Sequence, residues 1–355
     1  MNNLKNLGGF TGRFALAYIV FYIAVGIIFL NLQDALPAES RTALDFFEPY
    51  NLGFDNLVAQ FLLGVFLALV LYPFYELLVK GERGLLILFA ALWGVALLGN
   101  LEPKPGSIEG MIYTQTTLLE HFLVIAAGAV QFLCFALVFL RWEQRLGQGD
   151  RSQGDRSPVM PLNGKKADES TGGQEGERSR VVSHKIDAGK GESAAGPVGS
   201  RPAAPAKWPR GYILRFTLLH VVIYLVVGSI FYEISGYEEA LATMEAFELW
   251  RPLESLGMVM VVFFGQIGRG AFLALMLFAF YAIYMARRNG WLLLFGLLFG
   301  LKVFPAIFTP FESLGEAIAD AAVGLPEILA QTLVFSLVFY AWEKRRNRKK
   351  ETLAA

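Results

Sequence analysis

The chain has few histidines, a single cysteine and no surplus of either charge. It holds 3 histidines and 1 cysteine, and its 31 lysines and arginines are matched by 31 aspartates and glutamates. One cysteine, Cys134, excludes an intramolecular disulfide and any thiolate metal cluster. It lies inside an apolar run and reads as a packing residue. Zero net charge removes the global case for nucleic acid. A Gly-rich phosphate loop, H-E-x2-H and G-x-S-x-G are all absent. No cofactor, no metal site and no catalytic residue is therefore expected from motifs. Glu120-His121 sets a carboxylate beside an imidazole, but adjacent helical positions point to different faces.

What the chain does have is apolar sequence. Hydrophobic residues make up 55% and aromatics 14%, and mean hydropathy is +0.46. Runs of about 20 apolar residues recur, each long enough to span a ~30 Å hydrocarbon core as a helix. A β-barrel would instead show alternating ten-residue segments, on the order of one per strand. The expected fold class is all-α, a polytopic integral membrane protein whose main partner is the lipid bilayer.

One stretch is written twice. QFLLGVFLALVLYPFY from Gln60 and QIGRGAFLALMLFAFY from Gln266 both fit Q-x3-G-x-FLAL-x-L-x2-FY without gaps. RFALAYIVFYIAVGIIF from Arg13 aligns with RFTLLHVVIYLVVGSIF from Arg215, and Trp142-Glu143 with Trp342-Glu343. Basic residues before the first apolar run resemble a secretory signal. Its mid-chain counterpart argues that the run is retained. The sequence thus predicts eight transmembrane helices as two parallel tandem four-helix repeats. The expected spans run from about Phe14 to Leu30, Leu57 to Val79, Gly84 to Leu101 and Thr117 to Leu140 in the first repeat. In the second they run from about Tyr212 to Tyr232, Gly257 to Ala286, Trp291 to Phe308 and Ala317 to Ala341. The domains are the first repeat over 1–143, a linker over 144–208, the second repeat over 209–345 and a basic tail over 346–355.

The linker is rich in Gly, Ser, Pro, Ala and charge and repeats QGDRS, so it supplies no core and reads as a disordered tether. Lys5, Arg13, Lys80, Arg83, Arg141, Arg145, Arg287, Arg288 and the basic tail fall on one side of the expected spans. The acidic loops, Gln33 to Asn56 and Glu233 to Glu254, fall on the other. The positive-inside bias places both termini and the linker in the cytoplasm of a multi-pass cell-membrane protein. Linker and tail are candidates to contact a cytoplasmic partner or anionic lipid. An even number of spans per repeat relates the two by an axis along the membrane normal, as in the halves of some transporters.

The repeats differ at telling positions. Leu63 becomes Arg269, Ala96 becomes Lys302, Ala127 becomes Glu327 and Tyr18 becomes His220. A charge at mid-span costs at least ~2.5–3.5 kcal/mol on insertion scales, so each is expected to face protein or water and to have a partner. Counting from the cytoplasmic helix ends puts Arg269 roughly 27 Å up, Glu327 roughly 22 Å and Lys302 roughly 18 Å. Arg269 is therefore expected to pair with Glu327, while Lys302 lies below them, snorkels outward or pairs with Asp320. Gln266 shares a helix face with Arg269, and Gln331 with Glu327. His220 counts as too close to the cytoplasm to join. The candidate substrate-binding set is Arg269, Glu327, Lys302, Gln266 and Gln331, and the leading expectation is a transporter or binding protein for a small polar or anionic molecule entering from outside. The positive end of the last helix favours an anion there. The alternatives are a non-catalytic structural or regulatory subunit in which Arg269 and Glu327 form a salt bridge, and an outer-leaflet enzyme with Glu327 as acid or base.

Overall fold

The computed structural model describes residues 2–35, 53–98, 103–154, 211–235, 239, 250–251, 255–307 and 314–354. The described residues form helices and turns, with one isolated antiparallel bridge between Thr114 and Trp250. The first half contains α1 (Asn2–Ala35), α2 (Phe54–Leu71), α3 (Gly84–Leu97), the short α4 (Ile108–Tyr113) and α5 (Leu118–Gly154). The second contains α6 (Tyr212–Ile234), α7 (Leu256–Phe278), the short α8 (Tyr281–Ala286), α9 (Gly290–Pro305) and α10 (Leu314–Ala354).

Six of these helices, α1, α2, α5, α6, α7 and α10, contain a stretch long and apolar enough to cross a membrane. Their outward faces are apolar. Leu214, Leu218, Val222 and Val226 form an exposed i, i+4 stripe on α6. An apolar exterior of this extent suits lipid, not water.

The third helix of the first half is described over a shorter stretch than expected, while that of the second half continues from Gly290 through Ile307. α3 ends at Leu97, with Leu98 as its C-cap. At 1.5 Å per residue it is about 21 Å long, less than a ~30 Å core. α9 carries Pro305. Both contain a π segment, Ala90–Gly94 and Gly296–Gly300. The fourth helices are longer than expected. α5 runs on to Gly154 and α10 to Ala354, because no proline interrupts either chain past its tryptophan. The expected first boundary at 143 therefore falls inside a continuous helix. The rest of the expected linker, and residues 36–52 and 240–249 of the expected acidic loops, lie outside the described residues.

Packing within each half follows matched positions. α2 approaches α1 where Gly64 lies over Ala15, and a Cβ there would sit 2.8 Å from the Ala15 Cα. α7 approaches α6 where Gly270 lies over Thr217 and His220. Ala68 and Ala274 are buried four residues further on, so the small-x3-small pattern serves close helix approach. Phe14 packs edge-on against Phe135 and Phe139 with centroids 4.8 and 5.0 Å apart. Phe216 meets Phe335 and Phe339 at 4.6 and 5.0 Å. Each such ring pair contributes ~0.5–1.5 kcal/mol beyond burial.

A charged clamp closes each half at one end. Arg13 of α1 donates to Glu143 of α5, and the Tyr75 hydroxyl donates to the other Glu143 oxygen at 3.3 Å. Arg215 of α6 donates to Glu343 of α10 at 2.6 Å, and Tyr281 to its other oxygen at 2.7 Å. Between the halves, Phe74 packs on Phe280 at 4.8 Å. Gly94 faces Met276 and Gly300 faces Val70, each close enough that a Cβ would sit 2.5 Å away.

The Glu343 carboxylate is fully buried against Arg215. Removing one side of such a pair strands the other charge, at a typical cost of ~3–5 kcal/mol. Glu343→Ala is expected to lower the stability of the purified protein by that amount in a denaturant titration in detergent micelles. An unchanged midpoint would show that the clamp holds nothing together.

Candidate functional site

The second half contains a cavity. His220 and Tyr224 of α6, Leu273 of α7, Lys302 of α9, and Gln331 and Thr332 of α10 line it. All four long elements of the half thus contribute. The space in which a water-sized molecule can centre itself is about 30 Å³. A buried water needs roughly 10–15 Å³ by that measure, so the cavity suits one or two small species.

Three replacements account for the space. Where the second half has His220, Ile223 and Thr332, the first has Tyr18, Phe21 and Phe132. Tyr18 and Phe21 fill the matched region against Phe135, at centroid distances of 6.1 and 6.4 Å. The smaller side chains leave room against Phe335, while His220 keeps the ring contact at 6.2 Å.

Lys302 lines the cavity and is 6% exposed. The Glu109 and Glu327 carboxylates both act on its charge. The Asp320 side chain, one expected partner, lies outside the described residues. Gln331 also lines the cavity, and its Nε2 donates to Glu327 Oε1 at 2.6 Å. Glu327 therefore joins the site through Gln331 and lies against α6 at Gly228, 3.3 Å from where a Cβ there would sit. Gln266 is fully buried; its Oε1 accepts from Arg269 Nη1 at 3.1 Å, and its amide stands beside the His220 imidazole.

Arg269 does not pair with Glu327. Its Nη1 lies 2.5 Å from Glu109 Oε1, and its Nε donates to the Leu98 carbonyl at 3.0 Å. Its guanidinium carbon is 5.7 Å from the centre of the Tyr224 ring, a cation–π distance. The sequence reading compared depths only among helices of the second half. The partners come from the first. Leu98, the C-cap of α3, presents its carbonyl at the level of Arg269. α4 then starts at Ser107, whose Oγ accepts from Gly110 N at 2.8 Å, and turns Glu109 into the bundle.

Around Arg269 the two halves are tied further. The hydroxyls of Tyr113 and Tyr224 hydrogen-bond, and Gln266 Nε2 lies 3.5 Å from the Tyr113 oxygen. Burial pushes the Tyr113 phenol up, so it stays a hydroxyl. Arg251 N donates to the Tyr113 carbonyl at 2.7 Å, and Gln115 Nε2 to the Trp250 carbonyl at 3.1 Å. α4 thus packs on the second half through Tyr113, beside Tyr224 and Gln266.

The expected set is therefore split. Lys302 and Gln331 face the cavity, Glu327 and Gln266 stand one contact behind it, and Arg269 belongs to the contact between halves. Sequence reasoning missed Glu109, Tyr113, Tyr224 and Thr332, and it placed His220 too low. The Tyr18-to-His220 change was the available signal for His220. For Glu109 the only signal was that Arg269 needs a carboxylate. Glu120 serves as a cap: Thr117 N donates to Glu120 Oε2 at 2.8 Å, and Glu120 N reaches Thr117 Oγ1 at 3.4 Å, a reciprocal capping box. His121 Nδ1 accepts from Gly106 N at 2.9 Å. Among the described residues no group of three or more His, Cys, Asp or Glu is placed to hold a metal.

Arg269→Leu and Glu109→Ala are each expected to destabilise the protein by ~3–5 kcal/mol, and the double variant to recover much of the loss. Additive losses in a double-mutant cycle would show that the two charges are not coupled. Comparison of the chain with protein-family models, with curated proteins and with solved structures finds no match.

Proposed function

We propose that this is a membrane protein of eight crossings, built as two four-helix units, that binds or transports a small polar or anionic molecule in its second unit. The observation that carries this reading is the buried Lys302 ammonium in the wall of a cavity. A cation at such depth costs at least ~2.5–3.5 kcal/mol, and ionisable groups inside membrane bundles mark solute and ion pathways. The first unit carries Ala96 at the matched position, so the fold itself does not require the lysine. The duplicated architecture is supported by contacts that recur at matched positions: the two Arg–Glu–Tyr clamps, the two π segments and the two glycine approaches. α3 and α9 complete the eight crossings as short helices covered by their neighbours.

The basic ends of the helices support an orientation with both termini and the linker in the cytoplasm, at the cell membrane. Arg345, Arg348 and Lys349 on the end of α10 suit anionic lipid headgroups or a cytoplasmic partner. A non-catalytic subunit is the second reading. The small volume of the cavity favours that reading.

Accessibility separates the two. In a Cys134→Ala background, Thr332→Cys is expected to react with a small impermeant thiol reagent applied outside intact cells, and faster when Glu109→Ala loosens α4. A cysteine at Gly173 should react only when the cytoplasmic side is exposed. A Thr332→Cys thiol that stays unreactive in both backgrounds would leave the subunit reading in place.

A further inference from the structure

We infer that the rim of the second half, where the turn between α8 and α9 meets α10, is a binding site for one anionic phospholipid, its phosphate held by Arg287, Arg288 and Arg348. The inference rests on the proposed membrane orientation and names the lipid partner of the basic α10 end. Four observations lead to it.

The first is a fixed scaffold. The Tyr340 hydroxyl of α10 lies 2.6 Å from the Arg287 carbonyl oxygen and 3.0 Å from that of Arg288, and donates to this pair. Lys344 Nζ donates to the Met285 carbonyl at 3.1 Å and stands 5.6 Å from the centre of the Tyr340 ring. Gly290 closes the same turn so tightly that a Cβ there would sit 2.9 Å from the Tyr340 ring. The turn is thereby pinned to α10. Arg287 and Arg288 are exposed on it, and Arg348 is exposed one helical turn beyond Lys344 on the same face of α10.

The second is charge. Residues 287–290 and 342–349 hold a single carboxylate, Glu343. It is fully buried and taken up by Arg215 and Tyr281, with Arg346 at 4.0 Å. The rim's own carboxylate thus faces inward, and its outer face is cationic. Guanidinium groups present paired N–H donors that match the oxygens of a phosphate.

The third is the contrast with the first half. There Gly81, Glu82, Gln144 and Gln148 stand at the positions of Arg287, Arg288, Lys344 and Arg348. Gln144 Nε2 donates to the Val79 carbonyl at 3.2 Å, as Lys344 does to Met285. Lys80 is paired with Glu76 at 2.8 Å. The scaffold therefore forms without a cluster of cations, and the cluster is a property of the second half.

The fourth is the surface that continues from the rim toward the bilayer. Leu337 and Ala341 extend the exposed face of Lys344 and Arg348 along α10. Val338, Trp342 and, just past the turn, Leu292 of α9 are exposed as well. A tryptophan at this level suits the headgroup region. Phosphate at the arginines and acyl chains along the apolar face use the whole surface, which a free phosphate or an acidic peptide does not. Clusters of roughly four to eight basic residues at the cytoplasmic end of a membrane helix recognise anionic lipid in this way.

The test uses the full chain in neutral detergent, with phosphatidylglycerol and phosphatidylcholine of equal chain length as probes. Native mass spectrometry counts bound lipid, and thermal unfolding reads its effect. Phosphatidylglycerol is expected to bind at least about tenfold more tightly than phosphatidylcholine and to raise the melting temperature saturably. The combined Arg287→Gln, Arg288→Gln and Arg348→Gln variant, which spares Lys344 and its contact to Met285, is expected to lose that preference. Lys80→Gln, Arg83→Gln and Arg145→Gln together remove as many charges from the first half and are expected to leave it intact. Equal binding of the two lipids would overturn the inference. So would a preference retained in the folded second-half variant, or lost equally in the first-half variant. If the second-half variant does not fold, Arg288→Glu, which puts the first half's residue at that position, takes its place. Inorganic phosphate at equal ionic strength is expected to leave the melting temperature unchanged; a rise as large as that given by phosphatidylglycerol would overturn the lipid as the partner. A cysteine at Gly173 that reacts from outside, with the lipid preference intact, would overturn the proposed orientation alone. Loss of the preference with cytoplasmic labelling at Gly173 would overturn this inference alone.

Discussion

Glu343 accepts from Arg215 and from Tyr281, and Glu143 accepts from Arg13 and from Tyr75. Each carboxylate thereby joins the first, second and fourth helices of its half at one end. In a low-dielectric bundle such a contact tolerates little rotation, because a helix that turns away strands a charge. Fixing Tyr281 fixes the rotational phase of the chain leading back through α7. Arg269, about 18 Å away along that path, is then aimed at the opposite half rather than at α10. The position of the Arg269 contact and of the cavity beside it both follow from this anchoring.

Much of this was written in the sequence, and the part that was not has a specific cause. The matched runs from Gln60 and Gln266, and from Arg13 and Arg215, were legible because both helix interfaces reuse the same glycine and aromatic positions. The charged positions of the second half were legible because leucine or alanine stands opposite them. Arg269's partner was not legible. Counting residues from helix ends assumes straight helices of equal start, and it compares only elements thought to be neighbours. α3 ends at Leu97 and α4 folds back, and no periodicity in the segment around Pro103 announces either. The reach of α5 to Gly154 and α10 to Ala354 was missed because composition signals loss of a core, not loss of a helix.

The cavity lies where the two similar stretches of sequence differ. Ile223 and Thr332 stand at the positions of Phe21 and Phe132, His220 at that of Tyr18, and Lys302 at that of Ala96. The π segment Gly296–Gly300 ends just before Lys302, and such segments are frequent beside functional residues because they re-aim the side chains that follow. The first half keeps its own π segment without a charge after it.

The seam between the halves has a further consequence. Phe74 meets Phe280, and Gly94 meets Met276 as Gly300 meets Val70, so much of the seam is a surface facing its own counterpart. A self-complementary surface suits homodimers as well as it suits the joined chain. Arg269 breaks that degeneracy. Two second halves meeting along this face would bring together two guanidiniums with no Glu109 to receive them. Two first halves would bury Glu109 against Leu63. Only the mixed pairing satisfies both charges, and the asymmetry enforces partner choice between near-identical faces.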